Sequence, residues 1–161
     1  MAYIYPAPGV ADKECVLKIG SQTSGVTGNI TVPALQDITV NASNDVFTWT
    51  QLDQTAKLQI ATTSTNSLTM NLVLDQTTFF GTGNTTTIAG LGIFGCSTNK
   101  TKVQFDLYLG DTDTGGAGKY VSGNAYITGL APTVSADSPV WVSPITLTVD
   151  GSYAVGNTAT I

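Results

Sequence analysis

Apolar and polar residues alternate with a period of two along much of this chain, which is the signature of strands with one packed and one polar face. Cys15, Leu17 and Ile19 alternate with Lys18 and Gly20, predicting a strand near 13–20. Leu58 and Ile60 oppose Lys57 and Gln59 over 57–62, and Leu68, Met70, Leu72 and Leu74 oppose Thr69, Asn71 and Val73. Over 101–109, Val103, Phe105, Leu107 and Leu109 point inward while Lys102, Gln104, Asp106 and Tyr108 point outward. Ile145, Leu147 and Val149 repeat the pattern. The runs 101–109 and 120–128 flank Asp111-Thr112-Asp113-Thr114-Gly115-Gly116, a turn sequence that predicts a hairpin. Shorter strands at 30–32 and 35–40 are interrupted by Pro33. Proline cannot donate to a ladder, so that stretch is an edge, a bulge or a strand start. The fold class is all-β, a mostly antiparallel β-sandwich or barrel-forming sheet with at most one short helix.

Three stretches break the pattern. Residues 1–12 hold Pro6, Pro8 and Gly9 and read as an extended arm, whose Tyr3 and Tyr5 pack on a neighbour or on their own domain. The span 41–57 opens on the turn cluster Asn41 to Asp45 and carries Val46, Phe47 and Trp49, so it reads as a long loop with its own aromatics. Such aromatics either pack down on the parent domain or mark a contact surface. Between Thr77 and Cys96, Phe79-Phe80-Gly81 and Ile88 to Phe94 are apolar but glycine-punctuated, consistent with a helix or an irregular loop. No linker divides the chain, so 13–161 reads as a single domain with a long loop at 41–57.

Composition narrows the chemistry. The 161 residues include 27 Thr, 11 Ser and 9 Asn, one Glu, no Arg and no His. Without His there is no Ser-His-Asp or Cys-His nucleophile and no imidazole metal ligand. Without Arg, and with a net charge of -5, the chain lacks the means to grip a polyphosphate. Asp113-Thr114-Gly115 matches the aspartic protease triplet, but it lies in a glycine-rich hairpin tip where turn chemistry explains it. Asp111, Asp113 and Gly116 suggest a calcium loop, yet Ser122 stands where its closing Glu belongs. No catalytic residue, cofactor or metal site is defined, and the expectation is a non-enzyme. The N-terminus lacks the basic and apolar regions of a signal peptide, and no apolar run is long enough to span a bilayer. Cytoplasmic synthesis or export within a particle follows. Cys15 and Cys96 then read as two buried thiols, with a disulfide as the lesser alternative.

The run Leu35-Gln36-Asp37-Ile38-Thr39-Val40-Asn41-Ala42-Ser43, the excursion Asp45 to Lys57 and the run Leu58-Gln59-Ile60-Ala61-Thr62-Thr63 resemble the major tail tube proteins of tailed bacteriophages. Gly123 to Thr128 and Ser143 to Ser152 are similar to that family's closing strands. The resemblance spans most of 13–153. The chain departs from the pattern in showing no clear helix after the fourth strand and in an unusually uncharged excursion. The resemblance implies a β-sandwich flanked by one helix, assembled as hexameric rings stacked into a hollow conduit for DNA delivery. Its partners would be copies of itself and other tail proteins (tape measure, terminator and tip), with DNA passing unbound and no membrane. Its place would be the virion tail, after assembly in the host cytoplasm. Candidate inter-ring contacts are Tyr3, Tyr5, Asp45, Phe47, Trp49 and Asp53. Candidate lumen-lining residues are Asn71, Gln104, Asp106 and Tyr108, for which an ordinary solvent face is the alternative.

Rival readings are a capsid decoration or other virion β-sandwich protein, a bacterial adhesin or pilin-like module, and an enzyme or ligand-binding jelly roll that holds sugar through Trp49, Trp141 and the Asn/Asp set.

Overall fold

The period-two runs become strands in the computed structural model, which describes residues 15–32, 35–109, 119–137 and 140–161. In chain order these are β1 (Cys15–Ser21), β2 (Asn29–Thr31), β3 (Leu35–Trp49), β4 (Leu58–Val73), α1 (Ile88–Thr98), β5 (Lys102–Leu109), β6 (Lys119–Leu130), β7 (Val142–Val149) and β8 (Ala154–Gly156). One antiparallel sheet runs in the order β2-β1-β5-β6-β7-β4-β3, with β8 paired to β6. β5 and β6 pair from Lys102↔Tyr126 to Leu109↔Lys119, as the hairpin pattern predicts. The tip of that hairpin, with Asp111 and Asp113, lies outside the described residues, as do the 1–12 arm with Tyr3 and Tyr5, and Pro33.

One sheet face forms the core. Leu17, Ile19, Leu68, Met70, Leu72, Val103, Phe105, Leu107, Ile127, Ile145 and Leu147 are all buried on it. Each such side chain contributes about 1.5–3 kcal/mol by leaving water. Phe79, Ile88, Ile93 and Cys96 close the core from the segment that follows β4.

That segment, ambiguous by periodicity, combines an irregular turn with a helix. Asp75 organises the turn: its carboxylate accepts from the Thr78 and Phe79 amides, both at 3.0 Å, and from the Thr77 hydroxyl at 3.1 Å. Burial pushes the Asp75 carboxyl up, but these hydrogen bonds outweigh it and hold it below the usual carboxylate range. Thr87 caps α1 by accepting from the Gly90 amide at 3.0 Å. The helix is interrupted at Gly92, with φ 67° and ψ 177°. The amides freed by the break, Ile93 and Phe94, donate instead to the Thr78 and Phe79 carbonyls at 3.1 and 2.9 Å. Backbone meets backbone here: a Cβ on Gly92 would lie 2.4 Å from the Gly81 nitrogen, and one on Gly81 would lie 2.3 Å from the Gly90 oxygen. A helix that starts after β4 removes one departure from the tail tube pattern.

Two elements differ from the sequence reading. The 41–57 excursion is not a loop: β3 continues to Trp49 and β4 begins at Leu58, so only residues 50–57 turn. The separate strands read at 57–62 and 68–74 are one sixteen-residue strand. Asn and Ser read as turn formers at 41–44, but each carries a cross-strand partner on β4 that keeps the ladder going.

Both thiols are free, with Cys96 buried and Cys15 half-buried. Burial pushes Cys96 up to about 11 and raises Cys15. Raised values mean less thiolate, so a disulfide-exchange reagent at pH 8 should label Cys15 slowly and Cys96 only on unfolding; two fast equivalents would contradict this. Gly92→Ala should lower stability by about 2–4 kcal/mol, read as a thermal midpoint roughly 5–15 °C lower.

Candidate assembly surface

The β3–β4 pair leaves the domain as a hairpin. β4 pairs with β7 from Ser67 to Val73, so among the described residues β3 is the one strand paired with residues 58–66. Those residues extend about 30 Å at the usual strand rise. Residues 39–48 and 59–65 are exposed throughout. An isolated two-stranded hairpin is marginally stable in water, so this one needs support at its root or along its length.

The root is secured by Tyr153. Its ring packs edge-on against Phe105, with centroids 6.3 Å apart, and its hydroxyl lies 2.7 Å from the carbonyl oxygens of both Asn41 and Ser67. Burial raises the hydroxyl's pKa, against the Ser67 hydrogen bond, so the group stays protonated and donates. Midway, the register shifts between Asn44 and Val46. There the Thr63 hydroxyl donates to the Asp45 carboxylate at 2.8 Å, and the Thr62 hydroxyl donates to the Asp45 carbonyl at 3.1 Å. Asp45 is thus committed within the hairpin, whereas Asp53 is exposed in the turn.

The outer half carries an apolar face. Phe47 pairs with Ile60 and Trp49 with Leu58, which puts all four on one side. Phe47 and Trp49 stack with centroids 5.9 Å apart. Phe47 is 60% exposed, Ile60 56% and Leu52, in the turn, fully exposed. These aromatics do not pack down on the parent domain.

A polar face covers the sheet opposite the core. Register places Asn71, Thr69, Thr146, Thr148, Tyr126 and Gln104 on it. Asn71 donates through its backbone and side-chain nitrogens to the Asp37 carboxylate at 3.0–3.1 Å, and the Thr128 and Thr148 hydroxyls lie 2.7 Å apart. Lys102 forms an ion pair with Asp150 at 2.5 Å. Asp106 is on the predicted face but does not stand open as a lining residue would: it is 1% exposed. Residues 160–161 cross it. Its Oδ2 accepts from the Thr160 and Ile161 amides at 2.5 and 2.9 Å, and its Oδ1 accepts from the Thr160 hydroxyl. Gln104 donates to the same hydroxyl at 2.8 Å and accepts from Gln22. The Ile161 side chain occupies the space above Gly20, where a Cβ would come within 2.9 Å. Tyr108 is half-buried against Tyr120, with centroids 4.9 Å apart. Asn71 therefore stands apart from the other three candidates, on β4 rather than β5. Alternation gives the direction of Asp106 but not what lies over it; Gly20, opposite Gln104 in register, is the sequence signal that space was reserved there.

Sequence reasoning missed a second exposed aromatic group. Phe80, Phe94 and Trp141 are 41–48% exposed, and Phe80 and Trp141 line a pocket with Leu74, Asp75, Gln76 and Gly81. Among the described residues, no cluster of three metal-ligating side chains forms, and no helix is long and apolar enough to cross a membrane.

No protein-family model and no curated protein matches this sequence. Solved structures do match. A chain from the tail of an empty gene transfer agent (GTA) particle, refined with C6 symmetry, aligns with a TM-score of 0.63 at 12% identity, covering 91% of this chain and 98% of that one. A chain of the anti-feeding prophage (AFP) baseplate aligns at 0.66 and 10% identity, covering 93% and 96%. The SPP1 tail tube aligns at 0.64 and 10% identity, covering 91% and 78%. The fold is that of these tail and tube proteins.

Replacing Asp106 by Ala should release residues 160–161 and lower stability by about 1–3 kcal/mol. Amide exchange at Thr160 and Ile161 should become fast; unchanged protection there would show that Asp106 does not hold the segment.

Proposed function

We propose that this chain is a major tail tube subunit, a structural protein that polymerises as stacked hexameric rings into a hollow conduit for phage DNA. The observation that carries the reading is the hairpin. Among the described residues its outer half has no second neighbour strand, yet it presents Phe47, Trp49, Leu58 and Ile60 on one face. An exposed apolar sheet face with open edges templates association, and a closed assembly removes the liability. In this reading Phe47 and Trp49 make the inter-ring contact, Asp53 borders it, and Asp45 shapes the bulge that aims it. Tyr3 and Tyr5 add a second contact.

The polar face serves as the lumen wall. Asn71 and the neighbouring threonines offer hydroxyls and amides but no cation cluster, while Gln104 and Tyr108 lie towards the part covered by residues 160–161. With a net charge of -5, such a wall repels a duplex and lets it slide. The subunit performs no catalysis, and its remaining partners are the tape measure, terminator and tip proteins of the tail. The AFP match, together with that to the sheath-tube complex of an extracellular contractile injection system (PVC), favours a second reading: the same tube serving an injection machine instead of a virion.

Electron microscopy of the purified chain separates the outcomes. Hollow tubes with a regular ring repeat are expected, and a protein that stays a monodisperse monomer at high concentration would overturn the proposal. A variant lacking 44–54 should keep a cooperative thermal transition and fail to stack. Tubes formed by that variant would show that the hairpin is not the stacking contact.

A further inference from the structure

Past β8, which ends at Gly156, the chain leaves the sheet: residues 157–161 have no strand pairing and cross its polar face. Side chains do the holding. Lys119 contacts Asn157, and Asp106 takes the Thr160 and Ile161 amides together with the Thr160 hydroxyl. That hydroxyl is read twice, since it donates to Asp106 Oδ1 and accepts from Gln104 Nε2 at 2.8 Å. Gln104 is turned for this role, because its Oε1 accepts from Gln22. A hydroxyl offers donor and acceptor on one atom, so the groove distinguishes Thr or Ser from Val, which has the shape of Thr and neither function. Next along, the Ile161 side chain fills the space that Gly20 leaves, with its Cγ2 2.9 Å from where a Cβ would stand.

We propose that the groove formed by Asp106, Gln104 and Gly20 recognises an extended peptide with Thr or Ser before a large aliphatic residue. Residues 160–161 fill it as a detachable clasp. The Asp106 carboxylate is 1% exposed, and its partners among the described residues all belong to the clasp. A buried carboxylate stripped of its partners is costly, so the groove is either filled or open to water, with little between. Both states satisfy the charge, because water replaces two amides and a hydroxyl once the clasp is away. A cleft of about 210 Å³, lined by Val16, Lys18, Tyr108 and Tyr120, borders Asp106 and gives water or a competing segment its way in. No backbone ladder breaks when the clasp leaves, so the domain stays folded and Asp106 and Gln104 are bared on the polar face. A partner able to displace the clasp carries the same Thr-aliphatic pattern in extended form. The inference stands apart from the tube reading.

Two measurements test the groove and the clasp. On the unmodified chain, the Thr160 and Ile161 amides should exchange through a local opening whose rate hardly responds to low denaturant, while the β5 amides wait for unfolding. Exchange of all of them in one step would make the segment a fixed part of the fold and overturn the proposal. The second measurement uses Thr160→Val/Ile161→Ala, which spoils the clasp and leaves the groove intact. Should that variant lack a cooperative thermal transition, Thr160→Val alone takes its place. A labelled, amidated peptide with the sequence of residues 157–161 should bind the variant saturably at millimolar concentration, read by fluorescence anisotropy. The unmodified chain, whose clasp competes, should bind it about tenfold or more weakly, as should the variant given a peptide with Val in place of Thr160. No saturable binding, or equal binding of the two peptides, would overturn the proposal. Equal binding to the variant and the unmodified chain would do the same, since the peptide would then sit outside the groove. Neither measurement requires a tube.

Discussion

Everything in this fold follows from a strand pair too long for its domain. Half of β4 is braced by β7 and packs Leu68, Met70 and Leu72 into the core. The other half has, among the described residues, only β3 paired with it. That imbalance makes the hairpin root the critical joint, and Tyr153 occupies it: its ring is seated on the core residue Phe105 and its hydroxyl reaches the two carbonyls where the strands leave the sheet. The side chain transmits the rigidity of the core to an element that has none of its own.

The segment after β4 meets a related need by a different device. The chain must turn sharply, cover the core with Phe79 and return, all within a short distance. Glycines at 81 and 92 let the two backbones touch, and the amides released by the helix break find carbonyls on the turn. The result is a closely packed cap with Phe80 and Trp141 left at its margin.

Sequence pattern revealed the core strands well, since a residue such as Phe105 or Leu147 can satisfy its burial in only one pleat direction. It failed where context overrides local preference. Asn41 to Asn44 have turn chemistry, yet they lie in strand because β4 supplies a partner for each. β8 is three exposed residues with no periodicity to read. Asp106 points as alternation says, but residues from the other end of the sequence cover it, and alternation carries no information about long-range cover. Of the candidate site, Phe47 and Trp49 were legible as aromatics in an unusual place. The Phe80–Trp141 patch was not: Trp141 stood out as an aromatic, but nothing in the sequence joins it to Phe80, sixty-one positions away.

In the proposed assembly the outer hairpin acquires its second neighbour from another copy of the chain. Hydrogen exchange on the amides of residues 46–61, compared between free subunit and assembled tube, tests this most directly. Fast exchange in the free subunit and strong protection in the tube, with the β5–β6 core unchanged between the two, is the predicted result. Equal protection of that segment in both states would contradict the account.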